Sequence, residues 1–233
     1  MNYVPIIHLN EVDSTNTFSK KLIEEYDFKK GFIISDIQTR GKGRYGKHWV
    51  SKIGNIYLSF FFQKHNINLK KFYLIFPVLI KKFIEKYTNS KALIKWPNDI
   101  IINGKKICGI LTEYIQLNKK KFIVIGIGIN INSSPKLKKY PTIYLKKIIK
   151  KNFSLNDITA DLLDLLCKVN LKKIKYKSLI KKWNSSMYLI DKKIKFLSQK
   201  IIHNGILKGI DTDAKLVLLN NKRKFKFSTG SIL

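Results

Sequence analysis

The sequence reads as an α/β chain that ends in a small all-β unit. Three observations lead there. Stretches with a helical apolar period alternate with runs rich in β-branched and aromatic residues. Two short polar turns join strand-like runs into hairpins. After Asp191 the helical texture gives way to short alternating strands.

The first helix signal is Asp13-Ser14-Thr15-Asn16, four candidate cap residues ahead of FSKKLIEEY. Phe18, Leu22 and Tyr26 then recur every four residues and make one apolar face. Gly31 opens the run FIISDIQ, a strand. Residues 54–63, GNIYLSFFFQ, are strand-like by aromatic and β-branched content. Leu69 to Tyr87 carries a helical pattern, with Pro77 a candidate kink. IIINGKKICGILTEY contains Asn103-Gly104, the strongest two-residue hairpin signal. LNKKKFIVIGIGINI repeats the arrangement around a lysine-rich turn. Residues 133–151 hold two prolines with weak periodicity and read as a mobile loop leading into a helix. Helices are expected at 155–174 and 177–187. The terminal β-unit, about 45 residues with turns at His203-Asn204-Gly205, Asp213 and Asn220-Asn221, is too small to be robust alone.

Composition bounds the function. The 233 residues carry 46 Lys+Arg against 15 Asp+Glu, a net charge of +31, yet 45% hydrophobic content supports a sizeable core and excludes a disordered chain. The apolar run Leu74 to Ile80, seven residues, is interrupted by Pro77, and no run approaches the length of an ordinary membrane-spanning helix. No basic-then-apolar leader is visible at the N-terminus, so a soluble cytoplasmic protein is expected. Two cysteines, Cys108 and Cys167, cannot form a disulfide framework. The charge invites a nucleic-acid reading. However, only Arg40, Arg44 and Arg223 are arginines, and arginine is the residue suited to bidentate base and phosphate contacts. Joint enrichment in Lys, Ile and Asn points instead to an A+T-rich coding bias. A non-enzymatic nucleic-acid-binding protein remains the rival reading, resting on KKFYLIF and KRKFKF.

The most informative segment is Gln38-Thr39-Arg40-Gly41-Lys42-Gly43-Arg44-Tyr45-Gly46-Lys47-His48-Trp49. Gly41, Gly43 and Gly46 match G-x-G-x-x-G, but no helix pattern follows and no acidic residue stands in 60–70, so a Rossmann fingerprint is excluded. A P-loop fails at His48, where Ser or Thr is needed. What survives is a glycine loop whose backbone N–H groups, with Lys42, Arg44 and Lys47, suit an anion. A solvated basic hairpin fits the same residues, and both readings stay open on this segment alone. Lys95-Trp96-Pro97-Asn98-Asp99 sets a lysine, an amide and a carboxylate around a proline turn; Asn98 and Asp99 could equally be capping it. Gly104-Lys105-Lys106 puts two lysines at the start of a strand that contains Gly109. Gly126 and Gly128 alternate onto one strand face, where a ligand or a helix must approach closely.

Taken together and in order, EVDSTN, QTRGKGRYGKHW, KWPND, GKKICGILTE and IGIGINI closely resemble the biotin–protein ligases. The resemblance implies a mixed, largely antiparallel sheet backed by helices over residues 1–187, the catalytic domain. It implies an SH3-like β-barrel over 188–233. It implies a two-step reaction, in which biotin and ATP, with Mg2+, give biotinyl-5′-AMP and the biotinyl group then passes to a lysine of a biotin carboxyl carrier protein. By resemblance Ser14, Thr15, Asn16 and Gln38 bind the biotin ring, and Gly109, Gly126 and Gly128 line its slot. Gly41, Lys42, Gly43 and Arg44 cover the biotin carboxylate and α-phosphate. Lys106 contacts both anions. Trp49, Asn98 and Asn130 lie with the nucleotide, and Asp99 orients the acceptor lysine. No protein metal site is implied.

The chemistry agrees, because a carboxylate attacking a phosphate needs cations such as Lys42, Arg44 and Lys106 between two anions. There are departures. Lys42 stands where the family usually has Arg, and so does Tyr45; Lys42 keeps charge but loses the planar fork. Only 13 residues precede Ser14, so no operator-binding domain is expected. Family members include monomers and homodimers, and sequence leaves that choice open. A lipoate-attaching enzyme of the same fold is a further alternative, disfavoured by the KWPND and GKGRYG loops.

Overall fold

The computed structural model describes residues 4–64, 68–137, 140–149 and 153–233. A seven-stranded sheet forms its centre. The strands are β1 (Ile6–Val12), β2 (Lys30–Gln38), β3 (Ile56–Gln63), β4 (Ala92–Lys95), β5 (Asp99–Ile102), β6 (Lys105–Leu117) and β7 (Lys120–Ile129), ordered β1-β2-β3-β7-β6-β5-β4. Only β1 and β2 run parallel; the other pairs are antiparallel. The mixed, largely antiparallel sheet is therefore present.

Helix α1 (Thr15–Tyr26) covers one face, where Leu22 and Ile23 bury against Ile33, Phe61, Phe122 and Val124. The other face carries α2 (Leu69–Glu85), which runs through Pro77, with α3 (Leu155–Lys168) and α4 (Tyr176–Ser185). Their core includes Phe32, Phe60, Phe76, Phe83 and Trp183. Strand alternation explains the division, since Phe61 points to α1 while Phe60 and Phe62 point to α2. The Asn103-Gly104 hairpin forms with both residues at positive φ, the geometry such a turn requires.

A five-stranded antiparallel sheet follows: β8 (Lys193–Ser198), β9 (Ile201–Ile210), β10 (Leu216–Asn220), β11 (Arg223–Phe227) and β12 (Ser231–Ile232). It docks on the main body through Trp96 against Phe196 and through Asn184, whose amide exchanges both hydrogen bonds with the backbone of Ile210.

Three boundaries differ from expectation. His203-Asn204-Gly205 lies inside β9, not in a turn. The turn is Gln199-Lys200, both at positive φ, and Gly205 sits where a Cβ would stand a tight 3.0 Å from the Leu219 carbonyl. Helix α3 stops at Lys168 rather than 174, because Asn170 turns the chain by accepting from the amides of Lys172 and Lys173. The stretch after 133 does not lead directly into a helix. Residues 141–143 run along Lys106 instead, with Lys106 N–H donating to Pro141 and Ile143 N–H to Lys106; residues 138, 139 and 150–152 lie outside the described residues. Both cysteines are free. Among the described residues no helix is long and apolar enough to cross a membrane.

Candidate active site

The site begins as a gap in the sheet. On the face toward α1, the register places Ser59, Gly126 and Leu111 in one cross-strand row and Tyr57, Gly128 and Gly109 in the next. Small residues at neighbouring positions of β3, β7 and β6 leave a depression. Asn16 and Trp49 fill it: a Cβ on Gly126 would strike the Asn16 amide, and one on Gly128 or Gly109 would stand 2.5 or 2.6 Å from the Trp49 ring. The glycines are thus required by close packing even without a ligand.

The N-terminus of α1 aims at this depression. Ser14 occupies the cap position, but its hydroxyl caps nothing. Gln38, at the end of β2, takes the first helical amide instead: its Oε1 accepts from Thr15 N–H at 2.9 Å and contacts Thr15 Oγ1 at 3.1 Å. Ser59 Oγ stands 2.8 Å from Thr15 Oγ1 and 2.5 Å from Asn16 Oδ1. Asn16 Nδ2 donates to Glu113 at 2.7 Å, and Glu113 pairs with Lys20 at 2.7 Å. Ser14, Thr15, Asn16 and Ser59 are buried. The result is a slot of about 50 Å³ lined by neutral polar groups on one side and glycine backbone on the other.

Trp49, Asn98 and Lys106 line both this slot and a second cavity of about 200 Å³. The second cavity differs in charge. Arg44, Lys47, Lys95 and Lys106 line it, with Asp99 as its sole carboxylate among the described residues. Lys106 Nζ stands 2.7 Å from Asp99 Oδ1, an ion pair off the angle of a good hydrogen bond, and 5.1 Å over the Trp49 ring. Arg44 stacks on Tyr45 and donates to its hydroxyl at 2.8 Å. Lys47 and Lys95 both approach the Tyr140 ring. Burial pushes the Lys95 ammonium below its usual pKa; Asp99 opposes the shift, while Lys106 and Lys47 add to it. Two buried polar atoms of the lining, Trp49 Nε1 and Asn130 Oδ1, have no partner. They leave one donor and one acceptor for a ligand.

The glycine loop works differently from its sequence reading. It is a self-bonded hairpin: Gly43 N–H donates to Lys47 at 2.7 Å, Trp49 N–H to Gly41 at 2.8 Å, and Lys42 bridges His48. The Gly43 amide is therefore spent internally, and the side chains carry the positive charge. Gly41 is required because a Cβ would stand 2.5 Å from the Trp49 carbonyl, and Gly46 has φ +70° in open space. Gly41, Lys42, Gly43 and Arg44 line an open mouth, which Leu111 and Glu113 border; Lys42 also reaches the slot and Arg44 the charged cavity.

Against known proteins, residues 9–130 match the model of the biotin/lipoate A/B protein ligase family, slightly more than half of the chain. The chain belongs to this family. Its curated relatives in the biotin/lipoate ligase family include the bifunctional ligase/repressor BirA of Bacillus subtilis, 34% identical over 134 residues, 56% of this chain and 41% of that protein. The biotin–[acetyl-CoA-carboxylase] ligase of Paracoccus denitrificans is 28% identical over 54% of this chain and 55% of its own length. The chain thus spans about two fifths to half of these relatives. Among solved structures, the biotin protein ligase of Aquifex aeolicus in complex with biotin and ATP superposes with a TM-score of 0.81 at 28% identity, covering 99% of this chain and 98% of that one.

Most ligase-like positions named from sequence converge on the two cavities. Asn98 does so while its Nδ2 ties the proline turn to the Ile110 carbonyl at 2.7 Å. Asn130 likewise donates to the Ile143 carbonyl at 3.1 Å. Four residues received no site role from the sequence. Ser59 and Glu113 orient the slot, and Lys95 adds a cation to the second cavity. Asn55 is the fourth: its buried Oδ1 accepts from the amides of Ile131, Asn132 and Ser133 at 2.8, 3.0 and 3.3 Å. Its Nδ2 donates to Tyr57, whose hydroxyl clamps the backbone of Lys52. Asn55 and Tyr57 thereby tie the segment following Trp49 to the one following Asn130. Ser59 did leave a signal, as the one serine inside the apolar and aromatic run of IYLSFFF.

Proposed function

We propose that this chain is an ATP-dependent biotin–protein ligase, which forms biotinyl-5′-AMP and transfers biotin to a lysine of a biotin carboxyl carrier protein. One observation carries the reading. A neutral polar slot opens into a cation-lined cavity, and Lys106, Trp49 and Asn98 stand at the junction. A ligand with a polar neutral ring, an apolar tail and a terminal anion matches that order, with a polyanion beyond it.

In the first step a carboxylate oxygen of biotin attacks the α-phosphorus of ATP and pyrophosphate leaves. Lys106 and Arg44 offset the repulsion, with Lys42 at the mouth and Lys95 and Lys47 beyond. Positioning between slot and cavity supplies proximity. Asn130 Oδ1 and Trp49 Nε1 offer partners to the nucleotide. Asp99, as the one carboxylate lining the cavity, suits a Mg2+ held chiefly by the phosphates of ATP. In the second step the acceptor amine attacks the biotinyl carbonyl and AMP leaves. When Lys106 turns to the adenylate, Asp99 is freed to orient the incoming ammonium and take its proton. The Paracoccus relative's name supports an acetyl-CoA carboxylase carrier as acceptor.

Lipoate attachment is the other activity in the family's name. The polar chain through Thr15, Asn16 and Ser59 favours biotin, because a dithiolane ring offers nothing to hydrogen-bond. Incubation with ATP, Mg2+, a biotin carboxyl carrier domain and either acid tests the choice. A mass increase on one carrier lysine with biotin alone is expected; modification by lipoate instead would overturn the reading.

A further inference from the structure

We infer that Glu113 is a positioning residue that sets the hydrogen-bond polarity of the slot. The inference deepens the biotin reading and rests on it. A carboxylate only accepts, so Asn16 must turn its NH2 group toward Glu113, at 2.7 Å. Its carbonyl then faces Ser59, 2.5 Å away. That carbonyl needs a donor, which commits the single hydroxyl proton of Ser59. Thr15 then spends its own hydroxyl proton inside the relay, on Ser59 at 2.8 Å or on Gln38 Oε1 at 3.1 Å. Thr15 Oγ1 is left presenting lone pairs. Gln38, whose Oε1 is occupied by the Thr15 amide and whose Nε2 reaches Ser51 at 3.3 Å, keeps one N–H free.

Thr15 and Gln38 therefore offer the slot one acceptor and one donor, beside the hydroxyl of Ser14. A cyclic urea presents the complement, an N–H beside a carbonyl. Lys20 pairs with Glu113 at 2.7 Å at the outer end of the relay. Among the described residues Glu113 alone fixes the Asn16 amide: its two ends are nearly isosteric, Gly126 lies against both, and the Ser59 hydroxyl can donate or accept.

The test is a double-mutant cycle read by isothermal titration of biotin. Wild type is measured first. Glu113→Gln, nearly isosteric, can donate as well as accept, so Asn16 loses its fixed orientation. Biotin binding is expected to weaken about tenfold, about 1.4 kcal/mol, with ATP binding unchanged. In an Asn16→Ala background the same change is expected to do nothing further. Lys20→Met, which leaves the slot's atoms in place, is expected to weaken biotin in the same direction by less. A tenfold loss that persists in Asn16→Ala, equal losses for biotin and ATP, or wild-type affinity in both Glu113→Gln and Lys20→Met would overturn the inference and leave the ligase reading intact. Failure of wild type to bind biotin would overturn both.

Discussion

The slot and the cavity beyond it share three residues but hold their ligand groups in different ways. In the slot the polar side chains hydrogen-bond one another, running through Gln38, Thr15, Ser59 and Asn16 to the Glu113 carboxylate. In the cavity the cations rest on stand-ins: Lys106 on Asp99, Arg44 on Tyr45, Lys47 and Lys95 on Tyr140. The slot is organised before a ligand arrives, which lowers the cost of binding. The cavity keeps its cations compensated until a stronger anion replaces the stand-ins. Tyr45 shows this locally, since the position where relatives often carry another arginine here supplies a ring and a hydroxyl that hold Arg44.

The largest expected effect comes from the junction. Lys106→Ala should reduce adenylate formation by about 10²–10³-fold while the protein stays folded, because its backbone contacts to 141–143 are untouched. Single-turnover production of AMP-ester from biotin and ATP reads this out; unchanged turnover would remove Lys106 from the mechanism. Gly126→Ala separates the two regions. Its methyl pushes Asn16 aside, so biotin affinity should fall about tenfold with little change for ATP, measured by titration of each ligand.

Asn55→Ala probes the joint behind the cavity. It leaves three backbone amides without their acceptor and should cost about 2–3 kcal/mol in denaturant unfolding, with a larger rise in KM for ATP than for biotin. The smallest effect concerns the terminal unit, whose Gly230, Ser231 and Ile232 line the cavity and not the slot. Asp211 accepts from the amides of Lys215 and Asp213 and pairs with Lys226. Burial alone would raise its pKa, but these partners outweigh burial and hold it below the ordinary value. Its stabilising effect is therefore full above an unfolded pKa of about 3.9 and is lost as pH falls through the lower folded one. Asp211→Asn should cost about 1 kcal/mol at neutral pH, and the gap between variant and wild type in thermal melts should close toward pH 2.

The residues legible in sequence were those that sit in local patterns. The alternation of Gly126 and Gly128 placed them on one face, and Asn103-Gly104 fixed a hairpin. Long-range partners were not legible. Glu113 meets Asn16 across 97 residues, and Asn55 meets Ser133 across 78; no local period marks such pairs. The glycine loop misled for a related reason. Its glycines suggested free backbone donors, but pairing with Lys47 consumes the Gly43 amide, and Gly41 contributes its carbonyl to Trp49. The turn expected at 203–205 failed because Gly205 lies mid-strand, close against Leu218 and Leu219 of β10, and does not reverse the chain.

Biotin-dependent exchange of labelled pyrophosphate into ATP tests the central claim most directly, because it needs the slot, the junction and the cavity together. Exchange is expected to require biotin, to fail with lipoate, and to fall by about 10²–10³-fold in Lys106→Ala. Absence of exchange with biotin, or equal exchange without it, would contradict the account.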